Sequence, residues 1–156
     1  MSPVHEVKNL GRLSQAFPIE PMPFKVVYAD TDAMGVVYHA RYLDIAERSR
    51  TEFVASAGID LGQIEAEHGI WLLVNRVRAD YRRPVLLHET AMVTTQVLKS
   101  GASQVWWRSQ LHVGAHLAAN IDVATACFDT KTKEPCVMPA DLAARIATLT
   151  QPTEPS

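Results

Sequence analysis

The spacing of apolar positions divides the chain into a helical segment and a β-rich segment. Between about Tyr38 and Gly58 the apolar residues recur three and four positions apart, which predicts an amphipathic α-helix. Gly58 is expected to end this helix, because glycine favours the position just after a helical C-terminus. The predicted apolar stripe consists of Tyr42, Ile45, Ala46, Ser49, Phe53 and Ala57.

Four runs in the second half have the length and pattern of β-strands. Gln104–Val113 alternates apolar and polar positions, and "VGAH" after it is typical of a tight hairpin turn. Ile70–Tyr81 opens almost continuously apolar, so burial on both faces is expected near Leu72–Val74. The other two runs are Thr90–Leu98 and Leu117–Phe128, and a shorter run, Phe24–Ala29, precedes the long helix.

The remaining segments predict short helices and tails. "DLGQIEAEHG" is typical of a helical turn that closes at Gly69, and Asp141–Leu149 is expected to form a terminal helix. Proline-rich residues 1–22 and residues 151–156 are expected to be flexible tails, leaving one domain over residues 23–150. One strand, one long helix and an antiparallel meander predict an α+β fold, with the helix across the concave face of the sheet. Because long edge strands need covering, an oligomer is expected.

Composition excludes several broad classes. The chain has 156 residues, 47% hydrophobic and 21% charged, with a net charge of −2, which argues against a nucleic-acid-binding protein. No apolar run is long enough to span a bilayer, and the N-terminus lacks the apolar core of a signal peptide. The two cysteines form neither a disulfide framework nor a zinc motif. A cytoplasmic location with reduced thiols is therefore expected.

The stretch "YADTDAMGVVYHARY", residues 28–42, concentrates the candidate chemistry. A turn that leads into a helix presents free backbone N–H groups and the positive end of the helix dipole, which stabilise an oxyanion. Asp32 can cap the helix, activate water or attack an acyl carbon. His39 can donate a hydrogen bond or move a proton, and Gly35 allows close approach of a ligand.

A purely structural interpretation competes with each of these roles. Asp-Thr-Asp before a helix is typical of a capping or Asx-turn motif, and Asp30 is interpreted as a turn residue. Tyr38 and Tyr42 are compatible with simple packing. The helical acid Glu47 is interpreted as a pairing or supporting residue, and Asp44 is expected to pair with Arg48 one turn later.

The run from Asp30 to Tyr42 resembles the motif of the hot-dog-fold acyl-CoA thioesterases. The similarity is to the 4-hydroxybenzoyl-CoA thioesterase branch of YbgC type, with Asp-x-Asp-x-x-Gly-x-Val-Tyr-His-x-x-Tyr before a long helix. It extends from about Phe24 to the last strand and includes the "AERSRTEF" helix and the segment Tyr81–Pro84. The resemblance implies a hot-dog fold, in which a five-stranded or larger antiparallel sheet wraps one long helix.

The resemblance also implies a reaction and a site. It implies hydrolysis of an acyl-CoA thioester without a metal or redox cofactor, with Asp32 as nucleophile or general base. His39 matches the motif histidine, and main-chain amides near it are expected to polarise the thioester carbonyl. The substrate-binding candidates are Gly35, Tyr38, Tyr42, Lys99 and Arg108.

Other expectations concern the substrate and partners. Arg82 and Arg83, like Lys99 and Arg108, are candidates to bind the phosphates of coenzyme A. Trp71 and Leu73 are candidates for an acyl pocket completed by a second subunit, since the family implies a homodimer or homotetramer. Met34, where several relatives have a small residue, leaves the acyl group open, and an acyl carrier protein remains a possible donor.

Two alternative functions remain open at this stage. A hot-dog dehydratase or hydratase is one, although the histidine-led, proline-rich motif of those enzymes is missing around His39, His68 and His88. A non-catalytic acyl-thioester-binding or scaffolding protein is the other.

Overall fold

The structure, a computed structural model, describes residues 20–150. In chain order its elements are β1 (Met22–Lys25), α1 (Arg41–Ser56), α2 (Leu61–His68), β2 (Ile70–Tyr81), β3 (Thr90–Ser100), β4 (Gln104–Val113), β5 (His116–Asp129) and α3 (Ala140–Ala147). The α+β class is confirmed, and α1 is twice as long as α2 or α3, with 16 residues against 8 in each.

The five strands form one antiparallel sheet in the order β1-β3-β4-β5-β2. The meander predicted for the second half holds for β3, β4 and β5. It is wrong for β2, which pairs with β5 at the far edge of the sheet. Hydrophobic alternation fixes which face of a strand is buried but does not specify its neighbour, so the sequence pattern could not reveal this crossover.

Helix α1 lies against the sheet, in contact with β3, β4 and β5. The predicted stripe is confirmed from Tyr42 to Phe53, whose members are buried, and Val54 joins it. A chain of hydroxyl groups links the helix to two strands: the Ser49 and Thr95 oxygens are 2.6 Å apart, and those of Thr95 and Ser109 are 2.9 Å apart. These pairings satisfy polar groups beneath the helix, where an unpaired hydroxyl would be costly.

Several predicted boundaries shift. The first strand begins at Met22, one residue before the expected domain boundary, and residues 28–30 form a short 3-10 helix instead of continuing the strand. Helix α1 begins at Arg41, three residues later than expected. The positive φ angles of Gly58 and Gly69 confirm that both glycines follow helix ends. Of the tails expected over residues 1–22 and 151–156, residues 1–19 and 151–156 lie outside the described residues.

The burial expected on both faces of β2 is wrong for the single chain that the structure describes. Leu73 is 43% exposed, Val74 is 48% exposed and Val77 is 46% exposed. These side chains remain open because β2 is an edge strand with a neighbour, β5, on one side in the described sheet. An exposed apolar edge strand is a surface onto which another strand can add.

Candidate active site

Asp32 begins a tight hairpin that precedes α1. The Asp32 backbone N–H donates to the Val36 carbonyl at 3.0 Å, and the Gly35 N–H donates to the Asp32 carbonyl at 3.1 Å. Gly35 has a φ of +73°, a left-handed conformation that favours glycine and closes the turn. The Asp32 side chain accepts a hydrogen bond of 2.8 Å from the Met34 N–H through Oδ1, which leaves Oδ2 without a protein partner among the described residues.

The hairpin is held on two sides. On one side, the Val37 N–H donates to the Val85 carbonyl and the Leu87 N–H donates to the Gly35 carbonyl, both at 2.9 Å. On the other side, Asp30 is buried, and its carboxylate accepts from the Val27 N–H and from Arg41 Nε, both at 2.9 Å. Asp30 is therefore a structural residue, as predicted, and it ties the turn to the first residue of α1.

Arg41 joins two acids at the helix start. Its guanidinium donates to Asp44 at 2.8 Å as well as to Asp30, and these bonds, with Asp44 the larger cause, raise the pKa of Arg41. The predicted pair between Asp44 and Arg48 is therefore wrong, because Asp44 is bound by Arg41. Glu47 pairs with Arg50, in agreement with its interpretation as a pairing residue.

His39 lies two residues before α1 rather than in its first turn. Ala40 is the residue that caps the helix, and it does so without a side-chain hydrogen bond. Within the described residues, the backbone N–H groups of His39 and Ala40 have no acceptor, whereas the Arg41 N–H donates to the Tyr38 carbonyl. Open amides at the positive end of a helix are the donors that a carbonyl oxygen gaining negative charge requires.

An open depression of about 320 Å³ brings several predicted residues together. Tyr81, at the end of β2, donates from its hydroxyl to the His39 carbonyl at 2.6 Å and meets the Tyr42 ring edge-on at 5.0 Å. Burial raises the pKa of both tyrosines. The lining consists of Asp32, Val36, Val37, His39, Tyr42, Tyr81, Arg82, Arg83 and Pro84.

The cationic candidates separate into two groups. Arg82 and Arg83 line the depression with Asp32, and both side chains are exposed. Lys99 and Arg108 are not among its lining residues. Arg108 forms two hydrogen bonds of 2.7 Å with the buried carboxylate of Asp122, directly opposite on β5, and this pairing raises the Arg108 pKa. Its charge is therefore already neutralised within the sheet.

The remaining residues predicted to contact the substrate differ in how far they are exposed. Tyr38 is 48% exposed and contacts the His39 ring with 4.5 Å between ring centroids. Tyr42 is 3% exposed and belongs to the core, so its contact with the depression is one edge of a packed ring. Met34 is 81% exposed at the tip of the hairpin, where a Cβ on Gly35 would meet nothing within 4 Å.

Tyr81 is a site residue that the sequence does not reveal. The segment Tyr81–Pro84 belongs to the resemblance, which implies no role for this tyrosine. Its contact with His39 joins residues 42 positions apart. Local spacing carries no signal for a contact of that range.

A second, mainly apolar cavity of about 70 Å³ lies beneath the middle of α1. It shares none of its lining residues with the depression. At its inner wall Trp107 Nε1 donates to the Thr125 hydroxyl at 2.9 Å. The lining residues are Glu47, Arg50, Thr51, Val54, Ile59, Leu61, Leu72, Trp107, Thr125 and Ile146.

Residues 20–150 hold neither a metal-binding cluster nor a membrane-spanning helix. No group of three or more histidine, cysteine, aspartate or glutamate side chains is arranged to hold a metal ion. No helix in this range has the length and apolar character needed to cross a bilayer.

Comparison with known proteins identifies the family of this chain. The sequence profile of the thioesterase-like superfamily matches residues 26–146, which include the hairpin, α1 and the whole depression. The chain belongs to the thioesterase-like superfamily. It is accordingly a thioester hydrolase with the hot-dog fold, as the resemblance implied.

Individual relatives support the same assignment. A Haemophilus influenzae protein named acyl-CoA thioesterase YbgC is 31% identical over 122 residues, which cover 78% of this chain and 90% of that protein. Acyl-CoA thioesterase YbgC of Helicobacter pylori is 37% identical over 76 residues, 49% of this chain and 54% of that protein. The chain is therefore YbgC-like over most of the described domain.

Solved structures share the fold of this superfamily member. Hypothetical protein TT1821 from Thermus thermophilus superposes with a TM-score of 0.76 at 25% identity, covering 84% of this chain and 99% of that one. Slr0204 from Synechocystis, a 1,4-dihydroxy-2-naphthoyl-CoA thioesterase, superposes with a TM-score of 0.74 at 19% identity, covering 85% of this chain and 98% of that one.

Proposed function

We propose that the protein hydrolyses acyl-CoA thioesters to a free acid and coenzyme A, with Asp32 as the catalytic carboxylate. The observation that carries the proposal is the juxtaposition of the Asp32 carboxylate with a helix start whose His39 and Ala40 amides have no acceptor in the described protein. The curated relatives named as acyl-CoA thioesterases support the substrate class.

The proposed chemistry uses two elements of the site. The amides near His39 donate hydrogen bonds to the thioester oxygen as it gains negative charge during attack. Asp32 acts either as a nucleophile, through an acyl-enzyme anhydride that water then cleaves, or as a base that takes a proton from the attacking water. In both routes the coenzyme A thiol departs, and neither route requires a metal or redox cofactor. Tyr81 supports the arrangement by holding the His39 carbonyl.

Arg82 and Arg83 are the proposed contacts for the coenzyme A phosphates. Both line the depression that contains Asp32, and neither has an ion-pair partner within the described residues. An unpaired guanidinium is available for bidentate binding of phosphate. Lys99 and Arg108 are less suitable, because neither lines this depression and Arg108 is bound to Asp122.

We further propose that two copies pair along β2 and so complete the site. The depression meets β2 at Tyr81, whereas the apolar cavity meets it at Leu72. The two positions are nine steps apart along the strand, about 30 Å, too far for one acyl group to occupy both within a protomer. Antiparallel pairing centred near Arg76 would set Leu72 of one copy opposite Tyr81 of the other.

This pairing also accounts for the exposed apolar side chains of β2. Leu73, Val74 and Val77 would be covered by the second copy. The acyl group would then lie against the β2 region of one protomer while its carbonyl meets Asp32 of the other. Trp71 and Leu73 remain acyl-pocket candidates in that arrangement.

A thiol-release screen tests the proposed activity. Purified protein is incubated with acyl-CoAs of different chain length and aromaticity, and free coenzyme A is measured with a thiol reagent. Release that exceeds the uncatalysed rate for at least one substrate is expected. A dehydratase would instead change the double bond of an enoyl substrate without thiol release, and a binding protein would retain acyl-CoA unhydrolysed; either result would overturn the proposal.

A further inference from the structure

The chain has two cysteines, and both are distant in sequence from the hairpin that begins at Asp32. The Sγ atoms of Cys127 and Cys136 are 3.2 Å apart, and both are free thiols. Cys127 is fully buried near the end of β5, whereas Cys136 is half-buried on the segment that follows. The proposed hydrolysis uses neither sulfur.

The backbone already holds the two residues in register. The Cys136 N–H donates to the Cys127 carbonyl at 2.9 Å, and the adjacent residues Phe128 and Pro135 form an antiparallel bridge. The two cysteines are therefore opposite one another on paired segments, where Cα atoms lie within the range that a disulfide spans. The sulfurs need to approach by only about 1 Å to reach bonding distance.

Hydrogen bonds also hold the loop that connects the two cysteines. The Asp129 carboxylate accepts hydrogen bonds of 2.8 Å from the N–H groups of Thr132 and Lys131, and these bonds, with Thr132 the larger cause, lower the Asp129 pKa. The Asp129 N–H also donates to the Glu134 carbonyl at 2.9 Å. Because this turn is fixed before any bond forms, closing a disulfide requires little rearrangement of the backbone.

We propose that Cys127 and Cys136 form an intramolecular disulfide by exchange with a low-molecular-weight disulfide such as oxidised glutathione. The half-exposed Cys136 thiolate attacks the small disulfide, forms a mixed disulfide and releases one thiol. Burial raises the pKa of the Cys127 thiol to about 12, so this thiol passes its proton to the departing thiolate as its sulfur attacks Cys136 Sγ and expels the second thiol. The two cysteines lose two protons and two electrons, and the small disulfide is reduced to two thiols.

The bond would join β5 to the segment that leads into α3. Cys127 belongs to the core cluster that contains Met138, Leu142 and Ile146, and Cys136 packs against that cluster. A link across this hairpin restricts the unfolded chain and stabilises the folded one. Oxidised protein is therefore expected to unfold at a higher temperature than reduced protein.

Mass spectrometry tests the proposal directly. Full-length protein is incubated with oxidised glutathione, unfolded in acid, alkylated with N-ethylmaleimide and digested with trypsin, which cuts between the cysteines at Lys131 and Lys133. The expected product is one pair of peptides linked by a disulfide within a single chain, lost on treatment with dithiothreitol. The matched control, Cys136→Ser, keeps a hydroxyl at the half-exposed position and should yield no linked peptides and no rise in unfolding temperature.

Three results would overturn the proposal. The first is wild-type protein in which N-ethylmaleimide still labels both cysteines. The second is a glutathione adduct on Cys136 that persists without closure. The third is a disulfide that joins two chains, which a non-reducing gel would reveal.

Discussion

Asp30 and Asp32 stand one residue apart but have different surroundings. The Asp30 carboxylate is buried and bound by Arg41 and the Val27 amide, so it holds the turn. The Asp32 carboxylate is half-buried in an open depression and keeps one oxygen without a protein partner among the described residues. A carboxylate that acts on water or on an acyl carbon needs such a free oxygen, so the proposed catalytic role falls to Asp32.

Tyr81 provides a single-residue test of how the helix start is positioned. Tyr81→Phe removes the hydroxyl that binds the His39 carbonyl but retains the ring contact with Tyr42. One neutral hydrogen bond is worth about 1 kcal/mol, so kcat is expected to fall about fivefold with little change in KM. Steady-state kinetics on wild type and variant would check this, and an unchanged kcat would contradict the positioning role.

Arg82 and Arg83 allow a test of coenzyme A binding. Changing either to alanine should raise KM for an acyl-CoA about tenfold, because a charge-assisted bond to phosphate is lost, while kcat stays near wild type. The matching acyl-pantetheine thioester lacks the nucleotide phosphates, so its KM should not change. Lys99→Ala is the control, since Lys99 lies outside the depression. A KM effect confined to Lys99→Ala would reverse the assignment.

At the scale of elements, the sequence pattern predicted what is local. The three- and four-residue spacing located the buried face of α1, and alternation located the buried face of β4, which the structure confirms at Val105, Trp107, Ser109 and Leu111. The pairing of β2 with β5 and the contact of Tyr81 with His39 were not predictable, because both join distant residues. The start of α1 was also missed, since no side chain caps it.

The part of the site that is local in sequence could be predicted. Asp32, Gly35 and His39 belong to one continuous motif, so a resemblance in sequence identifies all three. Lys99 and Arg108 are candidates by charge and loop position, and charge alone does not reveal that Asp122 lies opposite Arg108.

The Arg108–Asp122 pair gives a test at the scale of the sheet. Arg108→Ala leaves the Asp122 carboxylate buried without its partner, so the free energy of unfolding should fall by about 3 kcal/mol, the low end for a buried pair because Arg108 is partly exposed. Urea denaturation would measure the loss. The double variant Arg108→Ala/Asp122→Asn should recover part of it. A raised KM for acyl-CoA with unchanged stability would instead support a substrate-binding role for Arg108.

At the scale of the whole molecule, the free edge of β2 predicts self-association. Val74→Lys/Val77→Lys places two charges on the exposed apolar stretch of this strand, where burial of a lysine is costly. Wild type is expected to be at least a dimer by light scattering, and the variant a folded monomer with strongly reduced turnover. Val137→Lys, an exposed position on the segment before α3 and outside both cavities, is the control. A wild type that stays monomeric at all concentrations would contradict the pairing.

The most direct test of the central claim is the kcat of Asp32→Asn on the best acyl-CoA substrate. Asparagine keeps the size of the side chain and its hydrogen bond to Met34 but cannot act as a carboxylate, so kcat should fall by at least about a hundredfold. Asp44→Asn, at the same helix start, should stay near wild type. Both variants should match wild type in circular dichroism and unfolding temperature. Near-normal turnover by folded Asp32→Asn would contradict the claim.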